Sequence, residues 1–230
     1  MNNEMCSGYL HPALILLLAL AFSGCATAGV EKPKYTVEQK DGDFEVRAYK
    51  EQVVAETRVR ASLEEAGNRG FGPLFRYISG DNRSKAKIPM TAPVGQEQAQ
   101  GEKIAMTAPV GLKPATESDG AAGAGAETRG EWLVSFMMPS DYTLDTLPEP
   151  LDDSVRLRVV PAHRAAAVRY SGRWTRSGYQ RNLERLREWM AAQGLAAAGP
   201  PIWARYNPPF TPSFLRRNEV LLPLAEHRRE

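Results

Sequence analysis

The chain has 230 residues, enough for one large domain or two small ones, and its 43% hydrophobic and 24% charged content suits a globular protein with a sizeable core. Its 29 basic and 27 acidic side chains leave a formal net charge of +2. A balance that even gives no support for a nucleic-acid partner, which needs a concentrated basic face.

Residues 13–22, ALILLLALAF, form an uninterrupted apolar run. The run is shorter than the roughly 20 residues of a membrane-spanning helix and has the length of a signal-peptide core. Phe22-Ser23-Gly24-Cys25 resembles a bacterial lipobox. That predicts removal of 1–24 by cleavage before Cys25 and attachment of a lipid to its sulfur. Ala26-Thr27-Ala28 offers an A-x-A site as the alternative, which yields a soluble periplasmic protein. On both readings the chain is exported to the cell envelope. Ala26 after the cysteine directs the lipid-anchored form to the outer membrane of a Gram-negative host, facing the periplasm. Processing removes Cys6 and His11 and either lipidates or removes Cys25, leaving no free thiol and only His163 and His227. Disulfides, Cys-based zinc sites and His-rich metal sites are thereby disfavoured.

Residues 25–34 read as a tether, and 35–224 as the domain. In YTVEQKDGDFEVRAY, Asp41-Gly42 separates two alternating runs, a hairpin signal, with Phe44, Val46 and Ala48 on one face of the second strand. QVVAETRVR at 52–60 alternates again, placing Val53, Ala55, Thr57 and Val59 together. Ser62-Leu63-Glu64-Glu65 is a capping box that opens a helix reaching Gly80. Gly67, Gly70, Gly72 and Pro73 weaken that helix by propensity, yet Phe71, Leu74, Phe75 and Ile78 make an apolar stripe at helical spacing.

The octapeptide KIPMTAPV at 87–94 recurs as KIAMTAPV at 103–110. Ile, Thr and Val suit strands, and each Ala-Pro step imposes an extended alanine and removes a backbone donor. Each copy reads as a short strand ending at a bend. The two form the arms of a hairpin joined by GQEQAQGE, with Met90 and Met106 pointing from equivalent positions into one apolar space, either core or ligand pocket. Residues 113–130, KPATESDGAAGAGAETRG, are low in complexity and read as a flexible loop.

EWLVSFMMP at 131–139, SVRLRVVPA and RAAAVRYSG read as strands. Ser177-Gly178-Tyr179-Gln180 reads as a second capping box. Tyr179, Leu183, Leu186 and Met190 mark one face of a strongly periodic helix that Gly194 caps. PIWARYNPP and NEVLLPL are closing strands, and 225–230 is a charged tail. Both halves run strand, helix, strand, strand. The expected fold is therefore α+β: a duplicated β-α-β-β unit with helices packed on a mostly antiparallel sheet.

The phrase KIxMTAPV, followed by RYNPP and RRNEVLLPL, resembles the SOUL/haem-binding protein family over about Tyr35–Leu224. The resemblance implies two β-α-β-β repeats forming a distorted sheet or barrel flanked by two long helices, as in bacterial effector-binding domains. It also implies binding of haem or another tetrapyrrole, held without a covalent bond. A tetrapyrrole is a flat apolar disc with two carboxylates and needs an apolar slot with basic groups at its rim. The first helix offers Phe71, Leu74, Phe75 and Ile78, with Arg69 and Arg76 beside them and glycines that admit a flat ligand; Met90 and Met106 complete the candidate lining. A basic position that the family places near the propionates falls on Arg76, a second near Asn68–Arg69, and a third on Thr211, where the charge is lost. The family's proposed histidine ligand matches Ala48. His163, ahead of His227, is a candidate metal ligand beside Tyr49, Tyr77 and the methionines, and the axial ligand is unassigned.

The expected function is an envelope carrier, buffer or scavenger of tetrapyrrole; the alternative is binding of another small hydrophobic ligand in an effector-binding-type cleft. G-x-S-x-G, P-loop and H-E-x-x-H motifs are missing, so no enzymatic activity is expected.

Overall fold

Runs that alternate in polarity become strands, and the computed structural model, which describes residues 30–85, 101–115 and 130–225, assembles them into one open antiparallel sheet of nine. Nothing in the described residues is a helix long and apolar enough to cross a membrane.

The first strands are β1 (Tyr35–Asp41), β2 (Phe44–Tyr49) and β3 (Gln52–Ala61). The β1–β2 hairpin turns at Gly42, whose φ of +56° lies in the left-handed region glycine tolerates. Helix α1 (Leu63–Ile78) starts at Ser62, whose hydroxyl accepts from the Glu65 amide at 3.3 Å, as the capping box predicts. Then follow the short β4 (Asn82–Arg83), β5 (Val110–Pro114), β6 (Gly130–Met137) and the short β7 (Glu149–Pro150). The second half comprises β8 (Val155–Val160), β9 (His163–Tyr170), α2 (Arg176–Ala192), β10 (Ile202–Arg205) and β11 (Asn218–Pro223).

Strand order in the large sheet is β1-β2-β9-β11-β10-β5-β6-β3-β8. Apart from the outermost β1, which has no counterpart, the order is symmetric about the β10–β5 pair. β10, β11 and β9 mirror β5, β6 and β3, and each half receives the other's leading strand: β2 beside β9, β8 beside β3. The expected duplication is present, with strand exchange between its halves. The sheet stays open, with β1 and β8 as its outer strands, so the barrel form of the expectation does not apply.

Both helices cover the same face. Val46, Ala55, Val134, Phe136, Ala166, Val168, Val220 and Leu222 pack there against Leu74, Tyr77, Leu186 and Met190 in one continuous core. Tyr179, Leu183, Leu186 and Met190 are all buried, as their spacing predicts. The cap of α2 is Thr175, not the Ser177 box: its side chain accepts from the Gly178 amide at 3.2 Å.

The octapeptide reading needs correction where it is described. In the second copy the strand begins at Val110, where the phrase ends; residues 101–106 have no ladder partner, and Thr107 makes a single parallel bridge to Glu31. The first copy and its Met90 lie outside the described residues, as do Cys25, His227 and most of the low-complexity loop.

Candidate functional site

Sixteen residues of α1 divide into a face against the sheet and a face toward solvent. Leu63, Ala66, Gly67, Gly70, Leu74, Tyr77 and Ile78 are buried. The expected ligand stripe therefore splits. Leu74 (0% exposed) and Ile78 (4%) belong to the core beneath the helix, not to an open slot. Phe71 is half-buried, edge-on to Phe136 (5.3 Å between centroids) and stacked on Phe75 (5.4 Å, 15° between planes). Phe75 carries the stack outward and is 46% exposed.

Two of the helix glycines, Gly67 and Gly70, do not open the backbone to a ligand, whereas a Cβ on Gly72 would meet only the tip of Arg76 at 4.0 Å. A Cβ on Gly70 would overlap the Val134 side chain, 2.8 Å from its Cγ1, and one on Gly67 would lie 3.2 Å from Arg205 Cζ with Nη1 closer still. Both glycines let α1 settle on the sheet. Arg205, which Gly67 accommodates, is buried and donates to Tyr179 Oη at 2.8 Å and to the Leu63 carbonyl at 3.2 Å.

Arg69 and Arg76 stand on the solvent side. Arg69 lies 3.4 Å from Glu65 in an exposed i, i+4 pair. Arg76 Nη2 donates to Asp152 Oδ2 at 2.8 Å, and Nε lies 3.6 Å from Asp81. The Asp152 carboxyl is held below its ordinary range, first by Ser154 and then by Arg76. Leu151, beside Asp152, is exposed.

The segment carrying Met106 runs alongside the C-terminal end of α1. The Ile104 amide donates to the Ile78 carbonyl at 2.8 Å, and Asn82 clamps Glu102 from both sides of its own amide group. Tyr142 donates to Glu102 at 2.6 Å, and that hydrogen bond, ahead of burial, pushes its phenol up to about 12. Met106 itself is 41% exposed, and the Thr107 hydroxyl donates to the Met137 carbonyl. The end of α1 is thus bordered by an exposed stacked phenylalanine, an exposed methionine segment and an arginine.

His163 is elsewhere. It opens β9, pairs with Tyr49 on β2 and stacks on that ring at 5.2 Å, while its Nδ1 lies 2.9 Å from the Pro161 carbonyl. Tyr49 belongs to the small apolar cluster on the sheet face away from the helices, so His163 does not adjoin α1. Among the described residues no group of three or more His, Cys, Asp or Glu side chains is placed to hold a metal ion.

That second face holds a charged cluster that lies outside the candidate site residues of the sequence reading. Glu219 on β11 is fully buried and accepts five hydrogen bonds. Arg47 on β2 grips it with both terminal nitrogens (2.7 and 3.1 Å), Arg217 with two more (2.7 and 3.1 Å), and Tyr206 donates at 2.8 Å. Burial alone would raise the Glu219 carboxyl; Arg47, Arg217 and Tyr206 outweigh it and hold the group below the ordinary carboxylate range. Arg47 also donates to Glu45 and Tyr49, and its guanidinium lies 4.4 Å above the Tyr35 ring. A signal was available. Alternation in FEVRAY and RRNEV puts Glu45, Arg47 and Tyr49, and then Arg217 and Glu219, on the face opposite the apolar residues.

The family model described as SOUL heme-binding protein matches residues 30–223. Heme-binding protein 1 of Xenopus laevis is 24% identical over 184 residues, covering 79% of this chain and 84% of that protein. Among solved structures, the EcmrR C-terminal domain superposes with a TM-score of 0.54 at 12% identity, over 84% of this chain and 98% of that one. A hydrolase encoded by lin2189 from Listeria innocua gives 0.52 at 12% identity, over 80% and 92%. At such identities these structures speak for the fold alone.

Proposed function

The chain belongs to the SOUL heme-binding protein family, and from that membership we propose that it binds haem or a related tetrapyrrole on the outer face of α1, as a carrier, buffer or scavenger in the cell envelope. The single observation that carries the reading is the family match across residues 30–223. The surface at the end of α1 suits such a ligand in kind. Phe75, backed by Phe71, offers an exposed ring for a flat disc, Met106 and Leu151 extend the apolar surface, and Arg76 and Arg69 supply cations for propionates. Leu74 and Ile78 support that surface from below. Among the described residues no histidine adjoins this surface, and the proposed binding rests on packing and propionate contacts; Met90 lies outside the described residues. The Cys25 lipid anchor and the outer-membrane location belong to the same proposal and rest on the lipobox.

The salt bridge to Asp152 gives the test its form. To reach a propionate, Arg76 has to leave Asp152, so the two acids compete for one guanidinium. Haemin titrated into the purified protein is expected to develop a Soret band that saturates. Arg76→Ala weakens binding by up to about tenfold, and Asp152→Asn strengthens it by up to about fivefold, the scale of an exposed ion pair. Haemin binding unaltered by both substitutions excludes this face. Absence of any saturable Soret change, with saturable binding of a neutral hydrophobic dye, moves the function to another small hydrophobic ligand.

A further inference from the structure

On the face of the sheet away from the helices, a cleft of about 350 Å³ is lined by Lys32, Pro33, Lys34, Tyr35, Tyr206 and Arg217. We propose that this cleft is a second ligand site, independent of α1, that takes a small planar aromatic compound bearing a carboxylate.

Its size is at the small end of the roughly 300–1,000 Å³ of ligand clefts, which suits one or two fused rings. Its walls are flat. Tyr35 is fixed from behind by Arg47 at 4.4 Å and by Tyr49, whose ring centroid is 5.1 Å away. The Arg217 guanidinium lies 4.1 Å from the Tyr206 ring centroid. Tyr206 spends its hydroxyl on Glu219, so what it offers the cleft is mainly ring surface. Rings and a guanidinium plane held this firmly lose little freedom when a flat ligand stacks on them.

Charge selects the sign of the ligand. The three side chains of the lining that carry a charge at neutral pH, Lys32, Lys34 and Arg217, are all cations. The carboxylate beneath them, Glu219, is fully buried and already gripped by Arg47, Arg217 and Tyr206, so it has no capacity left to attract a cation. Lys34 donates to the Ser140 hydroxyl, an uncharged partner, and the nearby Glu31 carboxylate accepts from the Ser140 amide. Among the described residues neither lysine is within ion-pair distance of an acid. An incoming carboxylate therefore meets two lysines with no acid to displace, at the mouth of a cleft whose floor is electrostatically settled.

The full chain is titrated with 2-naphthoate, with the cationic (2-naphthylmethyl)trimethylammonium ion and with neutral 2-naphthalenemethanol, following the Tyr35 and Tyr206 ring resonances. The acid is expected to bind saturably and to perturb both rings, with affinity falling as salt rises; the cation is expected not to bind. Lys32→Gln with Lys34→Gln lowers the affinity for the acid roughly tenfold, and Lys32→Glu with Lys34→Glu abolishes it. Arg187→Gln, which removes an exposed charge on α2, leaves it unchanged. These lysines are exposed, so the substitutions spare the fold. Equal binding of acid and cation, or a Glu/Glu variant that binds the acid like the parent, overturns the proposal.

Discussion

Glu219 shows how much one buried carboxylate can organise. It is fully buried from bulk solvent, and two guanidinium groups and a phenol replace that solvation with five hydrogen bonds. Breaking such a pair from one side leaves an uncompensated charge, at a cost of about 3–5 kcal/mol. Arg47→Met is expected near the lower end, because Arg217 and Tyr206 remain; chemical denaturation measures it. The carboxyl's folded-state pKa lies below its unfolded value. Its contribution to stability is thus present above the unfolded value of about 4.3 and is lost as pH falls through the folded one. Glu219→Gln removes that dependence, so its stability should fall less steeply on acidification than the parent's. Parallel acid limbs for the two proteins would show that Glu219 does not supply the linkage.

Helix α1 illustrates how an element can violate its own propensity for the sake of packing. Gly67 and Gly70 face the sheet at positions where a methyl group has no room, whereas Gly72 has only the tip of Arg76 at 4.0 Å. The two kinds of glycine should respond oppositely to alanine. Gly70→Ala forces the helix off Val134 and is expected to cost about 1–3 kcal/mol, the usual price of overpacking. Gly72→Ala should stabilise by up to about 1 kcal/mol through helix propensity. Thermal melts of the pair decide it, and equal shifts would mean that α1 does not rest on Val134 as described. Pro73 is tolerated in the same helix, since the buried face on both sides of it holds the turns together.

At the scale of the molecule, strand exchange is what separates the two faces. Because β2 joins the second half and β8 the first, the helices share one side of a continuous sheet, and the Arg47–Glu219 cluster and its cleft occupy the other. The two proposed sites can then be occupied independently. The proposed anchor at Cys25 adds a prediction at this scale. Cells fed labelled fatty acid should label the parent protein, and Cys25→Ser should carry no label. Equal labelling of both would leave cleavage after Ala28 as the reading. Much of this architecture was legible beforehand. Alternation located most of the long strands, 3.6-residue spacing located the buried face of α2, Asp41-Gly42 marked the first turn, and Ser62 marked the start of α1, because each depends on neighbours within a few residues. The family phrases of the octapeptide and the C-terminal strand were legible for the same reason. What only the tertiary structure decided is every feature that depends on which distant strands meet: the exchange of β2 and β8, the core position of Leu74 and Ile78, the packing role of Gly67 and Gly70, and the pairing of Arg47 with a glutamate 172 residues away. Local pattern fixes which way a side chain points from its own strand, but a sheet's order is set by long-range pairing, and that order chooses the partner it meets.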